Sequence, residues 1–350
     1  MHDFRSDTVT LPTAAMMTAI ANAQLGDAAR GDDPTVLELE RLASELTGKE
    51  DALLVPSGAM ANLSALIAHE CRGGEVIVEE TSHIYNAEGG GLSVVAGAIP
   101  RPVKGSFGVL DPDDVAAAIR AACDVALAPT RLVCLENTHN ASGGAVIPLQ
   151  NMAAIHDLAQ RAGIPVHLDG ARLFNAAAYL DVPVVDVCKH ADSVWFALCK
   201  GLGAPIGAIL AGDKQFMRRA RRAARMLGGG MRQAGVIAAP ALVALEDPYE
   251  VHKRDHLLAR KLALGLANIH ESLVDVDRVQ TNIVNCFVDH FANDASAIND
   301  ALRERGVLTN SRRSKIRFVT HYDVDAEAVE AAVTALANVI RRCPRKSSDT

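Results

Sequence analysis

Between residues 35 and 212 the chain repeats one pattern: a short run of apolar residues, then a stretch with helical spacing. The runs 131–136, 164–169, 192–198 and 206–211 are apolar on both faces, and Glu75-Val76-Ile77-Val78-Glu79 is a further short strand. A strand with one wet face alternates apolar and polar residues. One without alternation is covered on both sides, as in a buried parallel sheet. Helices fit between the runs. Asp33-Pro34-Thr35 predicts a helix start, with a capping carboxylate and proline at the first position, and Gly48 its stop. Further helical stretches run from Ala59 to His69, from Asp111-Pro112-Asp113 onward, and from Asn151 to Arg161. The pattern dictates an α/β fold with a mostly parallel sheet between helical layers.

From 214 onward the texture changes. Long helical stretches (214–226, 233–246, 250–272) lead to a strand at 282–288, a helix at 295–305, a strand at 315–320 and a helix at 325–341. The predicted organisation is an N-terminal arm (1–30) packed on a domain or a partner subunit, a large α/β domain (31–248), a smaller α+β domain (249–343) and a frayed tail (344–350).

Composition narrows the function. A hydrophobic content of 49% can build a sizeable core, which excludes a disordered regulator. A net charge of −7 argues against nucleic acid as a partner. The one basic run, Arg218-Arg219-Ala220-Arg221-Arg222 with Arg225, reads as a solvated or subunit-contacting helix face. The seven cysteines include no C-x-x-C, and six of them, Cys199 apart, are expected to be reduced core residues. The charged start Met1-His2-Asp3-Phe4-Arg5 and the lack of a long apolar run predict a cytoplasmic protein without a membrane span. Aromatic residues are scarce: one Trp, four Tyr and eight Phe, so the core must rest on Ala, Val, Leu and Ile.

Three features carry chemistry. Asp169 ends the run Ile164-Pro165-Val166-His167-Leu168, at the strand edge where open α/β sheets bind ligands. Lys200 leaves the apolar run 193–199 into Gly201-Leu202-Gly203. A buried amine there has a lowered pKa and can attack a carbonyl. Ser57-Gly58-Ala59 opens a helix whose N–H groups suit a phosphate. Singly, these are a turn carboxylate, a loop lysine and an ordinary helix start. Together they are the protein's share of pyridoxal-phosphate chemistry: a carboxylate for the ring nitrogen, an amine for the aldehyde and a phosphate cradle.

The sequence resembles the low-specificity L-threonine aldolases, the β-hydroxy-α-amino-acid aldolases of fold type I. The matching segments are Phe4-Arg5-Ser6-Asp7-Thr8-Val9-Thr10, Asp33-Pro34-Thr35-Val36, Val55-Pro56-Ser57-Gly58, Leu135-Glu136-Asn137-Thr138-His139-Asn140, His167-Leu168-Asp169-Gly170-Ala171-Arg172-Leu173-Phe174-Asn175, Lys200-Gly201-Leu202-Gly203, Gly228-Gly229-Gly230-Met231-Arg232-Gln233 and Arg317-Phe318-Val319-Thr320-His321. The resemblance implies pyridoxal 5'-phosphate as cofactor and cleavage of a β-hydroxy amino acid to glycine and an aldehyde. It implies Lys200 as the cofactor's lysine, Asp169 on the ring nitrogen and His83 stacked on the ring. Arg172 would lie near the ring oxygen or the phosphate, which Ser57, Gly58 and Ala59 also hold. Arg232 would reach the phosphate from a neighbouring subunit of a homodimer or homotetramer. Ser6 and Arg317 would hold the substrate carboxylate. No metal is expected.

Four positions depart from the family pattern as we read it. Ala59 stands for Thr, Cys199 for Ser, Arg30 for Tyr in Asp27-Ala28-Ala29-Arg30-Gly31, and Ala126 for a His that handles the β-hydroxyl. With no His at 126, the base would be His83, a water or a phosphate oxygen. Arg30 either reads an acidic group, as on a 3-hydroxyaspartate-like substrate, or substitutes for the lost phosphate contact, or is a surface arginine in a shifted loop. Two rival readings remain: a β-eliminating lyase of the same fold, and a cofactor-free binding protein.

Overall fold

A computed structural model describes residues 1–121, 125–291 and 294–343. The expected tail 344–350 and Cys123 lie outside the described residues. A seven-stranded sheet runs in the order Asp51–Val55, Ala208–Gly212, Ser193–Ala197, Val166–Gly170, Thr130–Glu136, Glu75–Glu79, Ile99–Val103. Only Ala208–Gly212 is antiparallel to its neighbours; the other pairs are parallel. That exception has a local cause. Loop 198–207 returns the chain directly after Ser193–Ala197, and a direct return makes an antiparallel pair, whereas a parallel pair needs a crossover. Gly203 and Gly207 take positive φ within it (77° and 111°). Lys200 therefore sits on a tight loop at the carboxyl edge of the parallel strands.

The helix starts follow the sequence signals. Helix Pro34–Thr47 begins where Asp33 accepts a hydrogen bond from Val36 N (3.1 Å) and ends at Gly48, φ 67°. Helix Gly58–Ala68 begins at Ser57, whose Oγ accepts from Met60 N (3.3 Å). The strand Ile99–Val103 has no apolar signature. It lies at the sheet's edge, where Pro100 and Pro102 are tolerated because one side of the strand needs no ladder. Alanines let helices approach the sheet closely: Ala43, Ala52, Ala177, Ala211, Ala238 and Ala241 are all fully buried in the main core.

A second core forms around the antiparallel sheet Ile283–Phe287, Lys315–Val319, Asn310–Arg312, covered by helices Pro248–Ile269, Ala295–Arg303 and Ala326–Ile340. The N-terminal residues join this core. His2–Asp3 pairs in parallel with Val307–Leu308. Phe4, with no exposed surface, meets Phe318 edge-on at 5.9 Å, and its carbonyl accepts from Val319 N (2.9 Å). Residues 5–10 are thereby led across to the large sheet. All the described cysteines are free thiols, and only Cys199 is not buried. Among the described residues no helix is long and apolar enough to cross a membrane.

Deleting the Phe4 ring removes the arm's buried anchor. Phe4→Ala is expected to cost about 3–5 kcal/mol in urea unfolding of the cofactor-free chain.

Candidate active site

Asp169 lies inside its strand rather than after it, paired in register with Glu136 on one side and Trp195 on the other. Its carboxylate is buried, accepting from Asn62 Nδ2 (2.9 Å) and Ala171 N (3.1 Å). Burial, then the neighbouring carboxylates of Glu136 and Glu88, push its pKa up to about 7. Lys200 follows on the adjacent loop, its Nζ 5.8 Å from the centre of the Trp195 ring. Burial and the nearby Arg172 hold its amine below the usual lysine range, which favours the uncharged nucleophile.

A row of carboxylates organises the loops above these strands. Glu136 accepts from His83 N (2.5 Å) and Asn140 N (2.8 Å), pinning the start of the His83 turn. Glu79 accepts from His139 Nε2 (3.0 Å) and from Thr81 N (2.6 Å). His83 Nδ1 meets Glu88 Oε1 at 3.0 Å, and this hydrogen bond raises the imidazole pKa. The ligand atoms of His83, Glu88 and Asp169 lie within 4.8 Å of one another. Asn62 Nδ2 donates to both Glu88 Oε1 (2.7 Å) and Asp169 Oδ2, so an N–H donor is already directed at the two carboxylates a cation would need.

The chain's N-terminal residues close the site. Arg172 donates from Nε and Nη2 to the two oxygens of Asp7, both at 2.7 Å, and from Nη1 to Asn140 Oδ1 (3.3 Å). Asn282 Nδ2 adds a third donor to Asp7 (3.2 Å). Burial alone would raise the Asp7 pKa, but Arg172, Lys200 and Arg317 carry it well below the usual carboxylate range. Ser6 caps the same turn, accepting from Thr8 N (3.2 Å). The Arg317 Nε is buried with no hydrogen-bond partner, and burial with the nearby Arg172 lowers its pKa to about 10.

The sequence-derived residues thus fall into two groups. Lys200, Asp169, His83, Arg172, Ser6 and Arg317 share one neighbourhood. Ser57, Gly58 and Ala59 adjoin it, because a Cβ on Gly58 would lie 2.2 Å from Trp195 Cη2. Arg30 and Arg232 form a separate surface unit. Arg232 pairs with Asp27 (3.0 Å), Arg30 with the same carboxylate (3.5 Å), and Ala28 and Ala29 bond to the backbone at 231–232. Arg30 is 78% exposed and lines a groove of about 530 Å³ with Arg222, Arg225 and Met231, none of them in the Lys200 neighbourhood. Arg221, by contrast, is held by Glu40 (3.0 Å) and Asp51 (2.8 Å). Ala126 lies in an exposed turn.

Four residues of the site had no role assigned from sequence. Asp7 stood within a matching segment. Glu88 follows His83 by five positions. Asn62 is a polar residue on the inner face of an apolar helix, which is a usable signal. Asp255 has both carboxylate oxygens buried and unpartnered, and burial pushes its pKa up to about 7.

The donor set suits a phosphorylated pyridine aldehyde. Asp169 has lone pairs left for a ring N–H, Lys200 offers an amine, and the start of helix Gly58–Ala68 offers backbone N–H groups.

The β-eliminating lyase family model matches residues 3–290. A probable low-specificity L-threonine aldolase 2 of Arabidopsis thaliana is 43% identical over 337 residues, covering 93% of this chain and 94% of the relative. The low specificity L-threonine aldolase of Escherichia coli K12 is 39% identical, covering 93% and 96%. The fold also matches a crystal structure from Exiguobacterium described as a putative aromatic amino acid beta-eliminating lyase/threonine aldolase. The TM-score is 0.79 at 22% identity, over 93% of this chain and 94% of that one.

Two variants test these electrostatics in the cofactor-free chain. Asp7→Ala leaves Arg172 buried without its partner and should cost about 3–5 kcal/mol in urea unfolding at pH 7. Asp255 binds its proton more tightly folded than unfolded, so its contribution to stability falls as pH rises from about 4 to about 7. Asp255→Asn should remove part of that decline, giving a higher urea midpoint than wild type at pH 8 and little change at pH 5.

Proposed function

The chain belongs to the β-eliminating lyase family, within the low-specificity threonine aldolases, and from that premise we propose that it is a pyridoxal-phosphate aldolase splitting a β-hydroxy-α-amino acid into glycine and an aldehyde. The observation that carries the reading is the buried Asp169–Lys200 neighbourhood, linked through Asp7 to the buried, unpartnered Arg317 Nε. Bound pyridoxal phosphate supplies an electron sink for the pair left on Cα when the Cα–Cβ bond breaks.

The chain's own residues do the rest. Lys200 provides the amine that holds the cofactor's aldehyde, and its lowered pKa keeps it nucleophilic. Asp169 holds the proton on the ring nitrogen. The helix start at Ser57, Gly58 and Ala59 takes the phosphate through backbone N–H groups, with no hydroxyl from Ala59. Arg317 and Ser6 hold the substrate carboxylate, so that the orientation at Cα selects the bond that breaks. Arg172 acts one step back, locking Asp7 and adding to burial in lowering the pKa of the Lys200 amine.

His83 is the base for the β-hydroxyl proton, the task left open by Ala126. With Nδ1–H donated to Glu88, its Nε2 carries the lone pair that takes the proton, and Glu88 stabilises the imidazolium that results.

Arg232 and Arg30 serve a neighbouring subunit. Their common surface lies apart from this chain's own Lys200, which supports a homodimer or homotetramer with shared sites. In that setting Arg30 reads an acidic substrate group, as on 3-hydroxyaspartate. A second reading, β-elimination, draws on the description of the matching family model.

A visible absorbance band on adding pyridoxal phosphate, abolished by Lys200→Ala, is expected. No band in the wild type overturns the cofactor assignment. Product analysis over threonine, allo-threonine, phenylserine and 3-hydroxyaspartate should give glycine and an aldehyde; ammonia and a keto acid would establish elimination instead. Arg30→Ala should lower kcat/KM for 3-hydroxyaspartate only, and equal kcat/KM on every substrate would remove its substrate role. Glu88→Gln removes what raises the His83 pKa, so the acidic limb of the kcat/KM profile should move to lower pH.

A further inference from the structure

Asn62 uses its whole hydrogen-bonding capacity inside the protein. It has no exposed surface. Its Oδ1 accepts from Trp195 Nε1 at 2.7 Å, and because an indole N–H can only donate, the amide cannot be flipped. The same oxygen meets His167 Nε2 at 3.1 Å, so His167 carries its proton on Nε2 and accepts on Nδ1 from Ser193 Oγ (2.8 Å). Ser193 Oγ in turn receives a hydrogen from His69 Nε2 (2.7 Å). Burial holds both imidazoles neutral, each with a pKa lowered to about 3, so this tautomer persists across ordinary pH. A carboxamide in such a chain relays no proton. What the chain fixes is a direction.

That direction aims both Nδ2 hydrogens at acids: one at Asp169 Oδ2 (2.9 Å), the other at Glu88 Oε1 (2.7 Å). Glu88 Oε1 is also the partner of His83 Nδ1. One amide therefore spans the carboxylate for the ring nitrogen and the carboxylate that grips the imidazole. The close approach behind this arrangement is allowed by Gly58, since any Cβ there would strike the Trp195 ring. The helix whose start would hold the phosphate thus carries, one turn further in, the group that fixes Asp169.

We infer that Asn62 is a positioning residue that aligns Asp169 and favours its carboxylate form, with His83 in register through Glu88, so that the site prefers a ring bearing an N–H. The inference rests on the pyridoxal-phosphate reading above. Asn62→Leu keeps the approximate volume and removes the donor to Asp169, which then holds a ring N–H more weakly.

The test is the binding of pyridoxal 5'-phosphate against its 1-deaza analogue, in which carbon replaces the ring nitrogen, each titrated by absorbance onto cofactor-free protein. Wild type should favour the native cofactor. In Asn62→Leu the ratio of the two dissociation constants should fall by about tenfold, because Asp169 without that donor is more readily protonated in the cofactor-free site and must lose that proton to accept from the ring. If Asn62 only packs, both ligands weaken equally and the ratio stays, which overturns the inference. Trp195→Phe, which removes the N–H that fixes the amide together with part of the indole ring, should lower the same ratio by a smaller factor and carries the test should Asn62→Leu not fold. An unchanged ratio there likewise overturns it. A wild type that binds native cofactor without preference removes this inference alone; one that binds neither ligand removes the pyridoxal-phosphate reading as well.

Discussion

The two-pronged ion pair between Arg172 and Asp7 joins parts of the chain that share no core. Arg172 follows a central strand of the large sheet, and Asp7 lies on the arm that Phe4 anchors in the second core. Asn282, beside the sheet of that second core, donates to the same carboxylate. Charges buried this deeply are tolerated only when matched, and the matching holds three pieces of backbone together at one point. Arg317 is thereby brought near Arg172, and burial together with that guanidinium lowers the pKa of both Arg317 and Lys200.

On this base the sheet supplies a line of acids. Glu79, Glu136 and Asp169 sit at the ends of three adjacent parallel strands, and each is occupied differently. Glu79 and Glu136 are consumed by loop N–H groups and His139, which makes them architectural. Asp169 keeps accepting capacity, and its raised pKa reflects burial first and then the proximity of Glu136 and Glu88. A cationic N–H brought against it relieves the same electrostatic cost, so the cofactor-free site is primed for such a ligand.

Much of this was readable beforehand. Strand runs without alternation and the Asp33–Pro34 and Gly48 signals located the main elements, because burial on both faces and capping leave marks in local sequence. Lys200, Asp169 and Arg317 stood in matching segments. The strand Ile99–Val103 was not readable, since an edge strand with two prolines carries neither periodicity nor apolar content. Asp7, Glu88 and Asn62 were not assigned for a related reason: each works through a partner distant in sequence, and one polar residue in a helix or turn does not name its partner.

The sequence by itself determined the class of sheet, the scarcity of aromatic packing, and the presence of a carboxylate, an amine and a helix start at strand edges. Those follow from local rules of burial, turn chemistry and capping, which act over a few residues. Only the tertiary structure decided that Arg172 is committed to Asp7, that Arg30 and Arg232 share a surface apart from Lys200, and that Asn62 binds Asp169 and Glu88 at once. Those are matters of distance between residues far apart in the chain. A hydrogen bond or buried ion pair is strong only within about 3 Å, a condition that packing sets and sequence spacing does not.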